Sequence, residues 1–377
     1  MGSNTTKVVV GEFLKGEKNP KIIGFGEAPT RGMRHGYVTN IDEVSNSVEK
    51  AVAIAEKNSN IKIKRAFVSL SGTTLKSEFA NGIAIVTKAD GEVTSLDINK
   101  ALEECEENLN LNNKKVIQSI PLSYKLDGKD VEGRIEGMRG NKIEVRALFL
   151  TYSIQHLEDL ITAIAQAGVE TLDVIPASLA SSSLVLTDKQ KIVGCALVDI
   201  GAEKVSISVF ENDLLVSMQT FPIGSSDITN DIAIGMKIPI ETAESLKLGN
   251  LIEEYSKKKL TEIVEARLGD IFELIENHLK KIKRSELLPA GVVFVGGGAN
   301  TLDIIEASKS FLRLPASIGS TEIFGNTKTK LRDPSYFTAI GLINGMEDQH
   351  HYNDSSLGGI SKDLKKHFKS ILKQLMP

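Results

Sequence analysis

The stretch Cys195-Ala196-Leu197-Val198-Asp199-Ile200-Gly201-Ala202-Glu203-Lys204-Val205-Ser206-Ile207-Ser208-Val209-Phe210 reads as two strands joined by a tight turn. Val193 to Val198 is an apolar run, and Lys204 to Phe210 alternates with period two. The turn between them is Asp199 to Glu203. A third strand, Leu214 to Phe221, follows and ends at Pro222-Ile223-Gly224. The N-terminus repeats the pattern. Lys7-Val8-Val9-Val10-Gly11-Glu12-Phe13 has the same Lys-Val opening and the same later Phe, and Lys21-Ile22-Ile23-Gly24-Phe25-Gly26 is its following strand. Repeated hairpins, each followed by helices, predict a duplicated α/β domain with a cleft between its halves.

The turns are where chemistry is expected. A glycine in a tight turn lets backbone N–H groups approach a phosphate with no Cβ in the way. An Asp at the end of the first strand can face Mg²⁺ through water. The second turn has both, Asp199 and Gly201, although a lone Asp-x-Gly is usually an ordinary turn. A further signal is the buried-type strand Gly291 to Val295, which runs into Gly296-Gly297-Gly298-Ala299 and a helix from about Thr301 or Leu302. Three glycines there offer a flat backbone surface to an adenine ring or a phosphate. Close strand–helix packing is the alternative. Glu244 and Lys247 lie one helical turn apart, either as a surface ion pair or as a ribose contact.

With 377 residues the chain is long enough for two or three domains, and a net charge of −4 gives no sign of a nucleic-acid partner. Aromatic residues at 5 % and the absence of Trp suit an α/β protein. Cys105 and Cys195 sit in apolar-periodic segments without metal or redox spacing, as buried thiols do. No apolar run approaches the ~20 residues of a membrane span, and no signal peptide is visible, so a cytosolic chain is expected. Positive charge concentrates in the tail. Ile360, Leu364, Phe368, Ile371, Leu372 and Leu375 form one helical stripe, flanked by Lys362, Lys365, Lys366, Lys369 and Lys373. A polar run, Glu347 to Gly359, precedes it as a tether. A basic amphipathic helix on a tether predicts peripheral binding to anionic lipid, with docking on its own domain as the alternative.

Taken together these residues resemble the actin–Hsp70–hexokinase ATPase fold, and within it the FtsA family of bacterial division proteins. The resemblance covers nearly the whole chain. It is carried by Gly36 to Val44, Pro222-Ile223-Gly224, Ile228 to Ala233, Ala243 to Lys247, Gly296 to Ala299 and Pro334 to Leu342. It implies an actin-like fold, two lobes around a nucleotide cleft, with an FtsA-type inserted subdomain and a C-terminal amphipathic helix. The implied division is subdomain 1A at 1–78, 153–186 and 330–346, the inserted 1C at 79–152, 2A at 187–230 and 291–329, and 2B at 231–290. A linker at 347–359 and a membrane-targeting helix at 360–377 complete it. The implied ligands are ATP and Mg²⁺. The site would comprise Gly2, Ser3, Asp199, Gly201, Ala202, Glu203, Lys204, Gly224, Ser225, Glu244, Lys247, Gly296, Gly297, Gly298 and Ala299, with Asp199 facing the metal. The membrane residues would be Ile360, Leu364, Lys365, Phe368, Lys369, Ile371, Leu372, Lys373 and Leu375. Implied partners are the C-terminal peptide of the ring protein FtsZ at 2B, further copies of the chain at 1C, other division proteins, and lipid at the cytoplasmic face of the membrane.

The sequence departs from the family at three places. A strand and an Asp-x-Gly-Ser/Thr motif normally precede the Lys7 strand, whereas Met1-Gly2-Ser3-Asn4 supplies only its end. The expectation is a start inside that motif, which an in-frame stop directly upstream would refute. Lost with it are a central strand and a carboxylate, so weaker nucleotide binding is expected. Second, Ala202-Glu203-Lys204 stand where glycines and a Thr are usual, and Glu203 repels a triphosphate unless it turns away, while Lys204 partly compensates. Third, Ile175 and Pro176 occupy the place of the residue that orients the attacking water, so hydrolysis is expected to be slow at most. The alternatives are a PilM-like adaptor of type IV pilus assembly and a chaperone-like or sugar-kinase-like ATPase. The tail argues against the first and the Ile175 position against the second.

Overall fold

The computed structural model describes residues 1–14, 20–250, 255–321 and 329–344. The chain divides into two compact units. One comprises Met1–Ser77, Asn113–Ile117 and Thr151–Asn344, and the other includes Glu78–Asn112 and Gln118–Leu150.

The larger unit opens with strand β1 (Thr5–Glu12), paired antiparallel with β2 (Lys21–Pro29). A short ladder of β3 (Met33–Arg34) and β4 (Tyr37–Val38) leads to helix α1 (Ile41–Ser59). Asn40 caps α1 by accepting the Glu43 N–H, and Asn60 ends it in the left-handed conformation. Val44, Val48, Ala51, Val52 and Ala55 form its buried face, at the spacing of one helical stripe. Strand β5 (Arg65–Leu70) follows.

The smaller unit is built on β6 (Lys76–Ile85), α2 (Ser95–Glu107), β7 (Lys114–Leu126), β8 (Lys129–Val131) and β9 (Lys142–Ser153), in a sheet of order β6-β9-β7-β8. Helix α2 starts in a capping box between Thr94 and Asp97. It buries Ile98, Leu102 and Cys105, at the spacing of one helical stripe, and it stops at Glu107.

The larger unit resumes with α3 (Ile154–Gln166) and β10 (Glu170–Pro176), which runs parallel to β5. Then come α4 (Ala177–Val185), α5 (Asp188–Val193) and the strands β11 (Cys195–Ile200), β12 (Val205–Glu211) and β13 (Leu214–Phe221). Helices α6 (Ser225–Met236), α7 (Ile240–Lys247) and α8 (Lys257–Lys281) precede β14 (Val292–Val295), α9 (Ile304–Leu312) and β15 (Ala316–Ile318). The sheet order is β13-β12-β11-β14-β15. β11 lies between antiparallel β12 and parallel β14. The core against this sheet is Ile228 and Ile232 of α6, with Leu260, Val264, Leu268, Ile271, Phe272 and Ile275 of α8.

Two sequence expectations are refined. The first strand of the quoted stretch begins at Cys195 and extends through Ile200, so Asp199 lies within the strand, opposite Ser206 and Val295. The period-two pattern of β12 does not mark a wet face. Val205 to Phe210 is buried throughout, and Ser206 Oγ meets Thr220 Oγ1 at 3.0 Å. Both faces of an interior strand are covered, and serine is small enough to pack there.

The duplication is visible in the pairing. β1–β2 is an antiparallel pair as β12–β13 is, and β5–β10 is a parallel pair as β14–β15 is. In the second copy β11 joins the two pairs. In the first copy they stay separate two-stranded sheets, and no strand among the described residues joins them.

Candidate functional site

A cavity of about 470 Å³ lies within the larger unit, inside the ~300–1,000 Å³ range of small-molecule sites. It is lined by Gly2, Ser3 and Asn4 just before β1, by Asp199, Gly201, Ala202 and Lys204 of the second hairpin, and by Gly296 and Gly297. Apolar lining comes from Val48, Val52, Val68 and Ala339, and residues of β1 and β5 line it as well.

The second turn is held by its own backbone. The Gly201 N–H donates to the Lys204 carbonyl at 2.9 Å. The Ser225 and Ser226 N–H groups donate to the Gly201 and Ala202 carbonyls at 2.9 and 2.8 Å, and the Gly224 N–H donates to Asp227 Oδ2 at 2.8 Å. The first amides of α6 are thus spent on positioning the turn. A Cβ at Gly224 would come 2.2 Å from the Ala202 carbonyl oxygen, which explains why the turn needs glycine there. Ser225 still faces the cavity.

Glu203 does not point into the cleft. Its Oε2 accepts the His35 N–H at 2.7 Å, and its carbonyl lies 3.0 Å from His35 Nδ1. This removes the repulsion expected of a carboxylate beside a triphosphate. Lys204 reaches across to Ser71 Oγ at the end of β5 and is 7 % exposed. Burial pushes its ammonium below the usual lysine value, opposed by Asp199 and Glu203. Burial likewise raises Asp199, against the pull of Lys204 and Lys7.

The triple glycine is a short 3₁₀ turn over Gly297–Asn300, and the α-helix starts only at Ile304, later than the sequence reading. Gly296 and Gly297 face the cavity, whereas Gly298 packs on Ile200 and Ala299 is fully buried. Glu244 also lines the cavity. Lys247 does not. Its ammonium is buried and donates to Glu244 Oε2 at 2.7 Å, Thr229 Oγ1 at 2.9 Å and the Ser225 carbonyl at 3.3 Å. Burial lowers its pKa, opposed by Glu244. It positions Glu244 and α6 and is not itself in reach of the cavity.

Several lining residues escaped the sequence reading: Lys7, Glu27, Asn300, Asp333 and Ser335. Lys7 was noted only as a repeat marker. Its Nζ donates to the Ser335 carbonyl at 3.1 Å and to Ser335 Oγ at 2.5 Å, and sits 4.5 Å from the Tyr336 ring centroid. Those partners lie at the other end of the chain, so no local signal marks them.

The residues fit a nucleotide. Ser3 Oγ is buried without a hydrogen-bond partner among the described residues and lines the cavity, as an atom awaiting a phosphate oxygen would. They fit Mg²⁺ poorly. Among the described residues no group of three or more His, Cys, Asp or Glu is placed to hold a metal ion. Of the cavity carboxylates, Glu27 is engaged by Tyr336 and Lys330, Glu244 by Lys247, and Asp333 by Asn300 and the Ser335 N–H. Asp199 remains, with Lys7 and Lys204 as its charged neighbours.

Ile175 and Pro176 end β10, directly before α4. Both thiols are buried, and burial pushes Cys105 and Cys195 each up to about 11, so neither is a nucleophile near neutral pH. No helix among the described residues is long and apolar enough to cross a membrane. The predicted membrane residues, Ile360, Leu364, Lys365, Phe368, Lys369, Ile371, Leu372, Lys373 and Leu375, lie outside the described residues, as does the linker.

Two lobes of repeated topology around such a cavity define an actin-like ATPase fold. Solved structures agree. A chain of the PilM–PilN type IV pilus biogenesis complex superposes with a TM-score of 0.68, covering 91 % of this chain and 95 % of that one at 15 % identity. The ethanolamine utilization protein EutJ of Carboxydothermus hydrogenoformans gives 0.54, covering 90 % and 86 %, also at 15 % identity. At such identities the likeness concerns the fold alone. Family profiles are more specific. Residues 196–341 match "Cell division protein FtsA" and residues 72–151 match "SHS2 domain inserted in FTSA". The cell division protein FtsA of Bacillus subtilis is 29 % identical over 365 residues, 91 % of this chain and 81 % of its own length. That of Pseudomonas aeruginosa is 26 % identical over 384 residues, 96 % and 91 %. The chain belongs to the FtsA family of cell division proteins.

Proposed function

We propose that this chain is an ATP-binding, filament-forming tether that holds FtsZ filaments at the cytoplasmic face of the cell membrane. The observation that carries the nucleotide part is the cavity where the Gly2–Asn4 and Gly201–Lys204 turns and the Gly296–Gly297 backbone converge. ATP acts there as a conformational ligand between the lobes, and hydrolysis is slow at most, because Ile175 and Pro176 cannot orient a water. The proposed site is the set of expected residues that face the cavity, joined by Lys7 and Asn300. Glu203, Gly224, Lys247, Gly298 and Ala299 shape it from behind.

The membrane part rests on the sequence of the tail. One short helix binds lipid marginally, and several in a filament act together. Exposed apolar residues support the protein contacts. Ile234 on α6 is 77 % exposed within the segment assigned to FtsZ, and β6 of the smaller unit is an edge strand that exposes Phe79, Ile83 and Ile85, a surface suited to self-association. Recruitment of further division proteins would follow from the filament so anchored.

The test is sedimentation with anionic liposomes of the full chain, of a form lacking Ile360 to Pro377, and of Phe368→Glu. The full chain is expected to pellet and the two variants to stay in the supernatant. Equal pelleting of all three would remove the anchor.

A further inference from the structure

We propose that Lys204 is a built-in counter-ion for the polyphosphate, so that this chain binds its nucleotide without Mg²⁺. The inference rests on the nucleotide reading of the cavity given above and specifies its chemistry.

Three observations carry it. First, the ammonium is fixed in place. Lys204 is 7 % exposed, its Nζ is hydrogen-bonded to Ser71 Oγ across the cleft, and a Cβ on Gly36 would come within 3.0 Å of it. An exposed lysine has no such restraint and loses side-chain entropy when it grips a ligand. Second, Lys204 lines the same cavity as Gly201, Ala202, Gly2 and Ser3. A phosphate bridging the two turns meets that charge directly, and a lysine ammonium binds phosphate as a compact point charge. Third, a nucleotide-bound Mg²⁺ takes one or two protein carboxylates besides phosphate and water oxygens, and the cavity carboxylates Glu27, Glu244 and Asp333 are already engaged. Asp199 is the carboxylate in reach, and Lys204 and Lys7 already stand in its field. A cation approaching Asp199 meets that positive charge. The turn that departs from the family pattern thus supplies from a side chain the charge that a bound metal supplies elsewhere in the fold. Glu203 would oppose this if it faced inward, and it is held away by the His35 N–H.

The experiment is a titration of the full chain with the fluorescent analogue mant-ATP, in excess Mg²⁺ and in excess EDTA. The two dissociation constants of the unmodified chain are expected to agree within about threefold. Lys204→Met, which keeps the length and removes the charge, is expected to bind at least about tenfold more weakly in EDTA and to recover part of this with Mg²⁺. Lys204→Arg keeps the charge and is expected to stay metal-independent, with thermal melting showing that each variant folds. Binding by the unmodified chain only when Mg²⁺ is present overturns the inference and leaves the nucleotide reading intact. Binding in neither buffer overturns both. Lys204→Met behaving like the unmodified chain in EDTA removes Lys204 from the role.

Discussion

Gly296 passes Asp199 so closely that a Cβ on Gly296 would lie 2.2 Å from Asp199 Oδ1, and its φ of +84° is one that side chains rarely adopt. Gly296→Ala is therefore expected to destabilise the larger unit by about 2–4 kcal/mol in urea unfolding, from strain and clash together. Gly297→Ala is the control. Its nearest neighbour would be Ser335 Cβ at 3.8 Å, an ordinary contact, so stability should change by less than about 1 kcal/mol while mant-ATP binding weakens.

The Glu203–His35 contact joins the second turn to the β3–β4 hairpin. Removing the acceptor in Glu203→Ala should raise amide exchange at His35 by about tenfold, in line with the loss of one charge-assisted bond worth about 1–2 kcal/mol. Glu203→Gln keeps an acceptor and should show a smaller change. Unaltered exchange in Glu203→Ala would mean that the contact does not protect the hairpin in solution.

Asp97 organises the start of α2. Burial by itself would raise its pKa, but hydrogen bonds from the side chains and N–H groups of Thr94 and Thr87 outweigh it and bring the carboxyl to about 2. A depressed carboxylate stabilises the fold above its unfolded pKa of 3.8, and that stabilisation is lost as pH falls through about 2. Asp97→Ala should cost the smaller unit about 1–2 kcal/mol near neutral pH, the size of a lost helix cap. The urea midpoint of that unit measures it.

His278 titrates in the same direction for a different reason, because here burial prevails. Burial, then the Lys281 charge, lowers its pKa from 6.5 to about 4, and its Nε2 lies 2.9 Å from Ser217 Oγ. The unfolded chain binds this proton more readily than the folded one, so stability is intact above 6.5 and falls as pH drops from 6.5 towards 4. Chemical denaturation should show a loss on the order of 2 kcal/mol between about pH 7 and about pH 5 from this group. His278→Gln should flatten that part of the profile.

Much of the second lobe was legible in the sequence. β12, β13, α7 and the strand before Gly296 announce themselves through period and punctuation, which are local properties of the chain. The repeated hairpin was legible too, because the N-terminal copy can be compared with its partner residue by residue. Asp199, Gly201 and Gly296 stood out as chemistry because a carboxylate at a strand end and glycines in tight turns are local patterns. The roles within the site were less legible. Lys247 and Gly224 look like ligand contacts in sequence, yet the first is buried in a side-chain network and the second is spent on the turn.

The sequence by itself determined the duplicated α/β fold, the family and the turns where a phosphate belongs, since period, glycine placement and motif order are written along the chain. Only the tertiary structure decided which polar group each charged side chain reaches: Lys204 with Ser71, Glu203 with His35, Lys7 with Ser335. Each of these pairs joins residues far apart in the chain, and the direction of a long charged side chain is set by which polar group the folded lobes bring within reach.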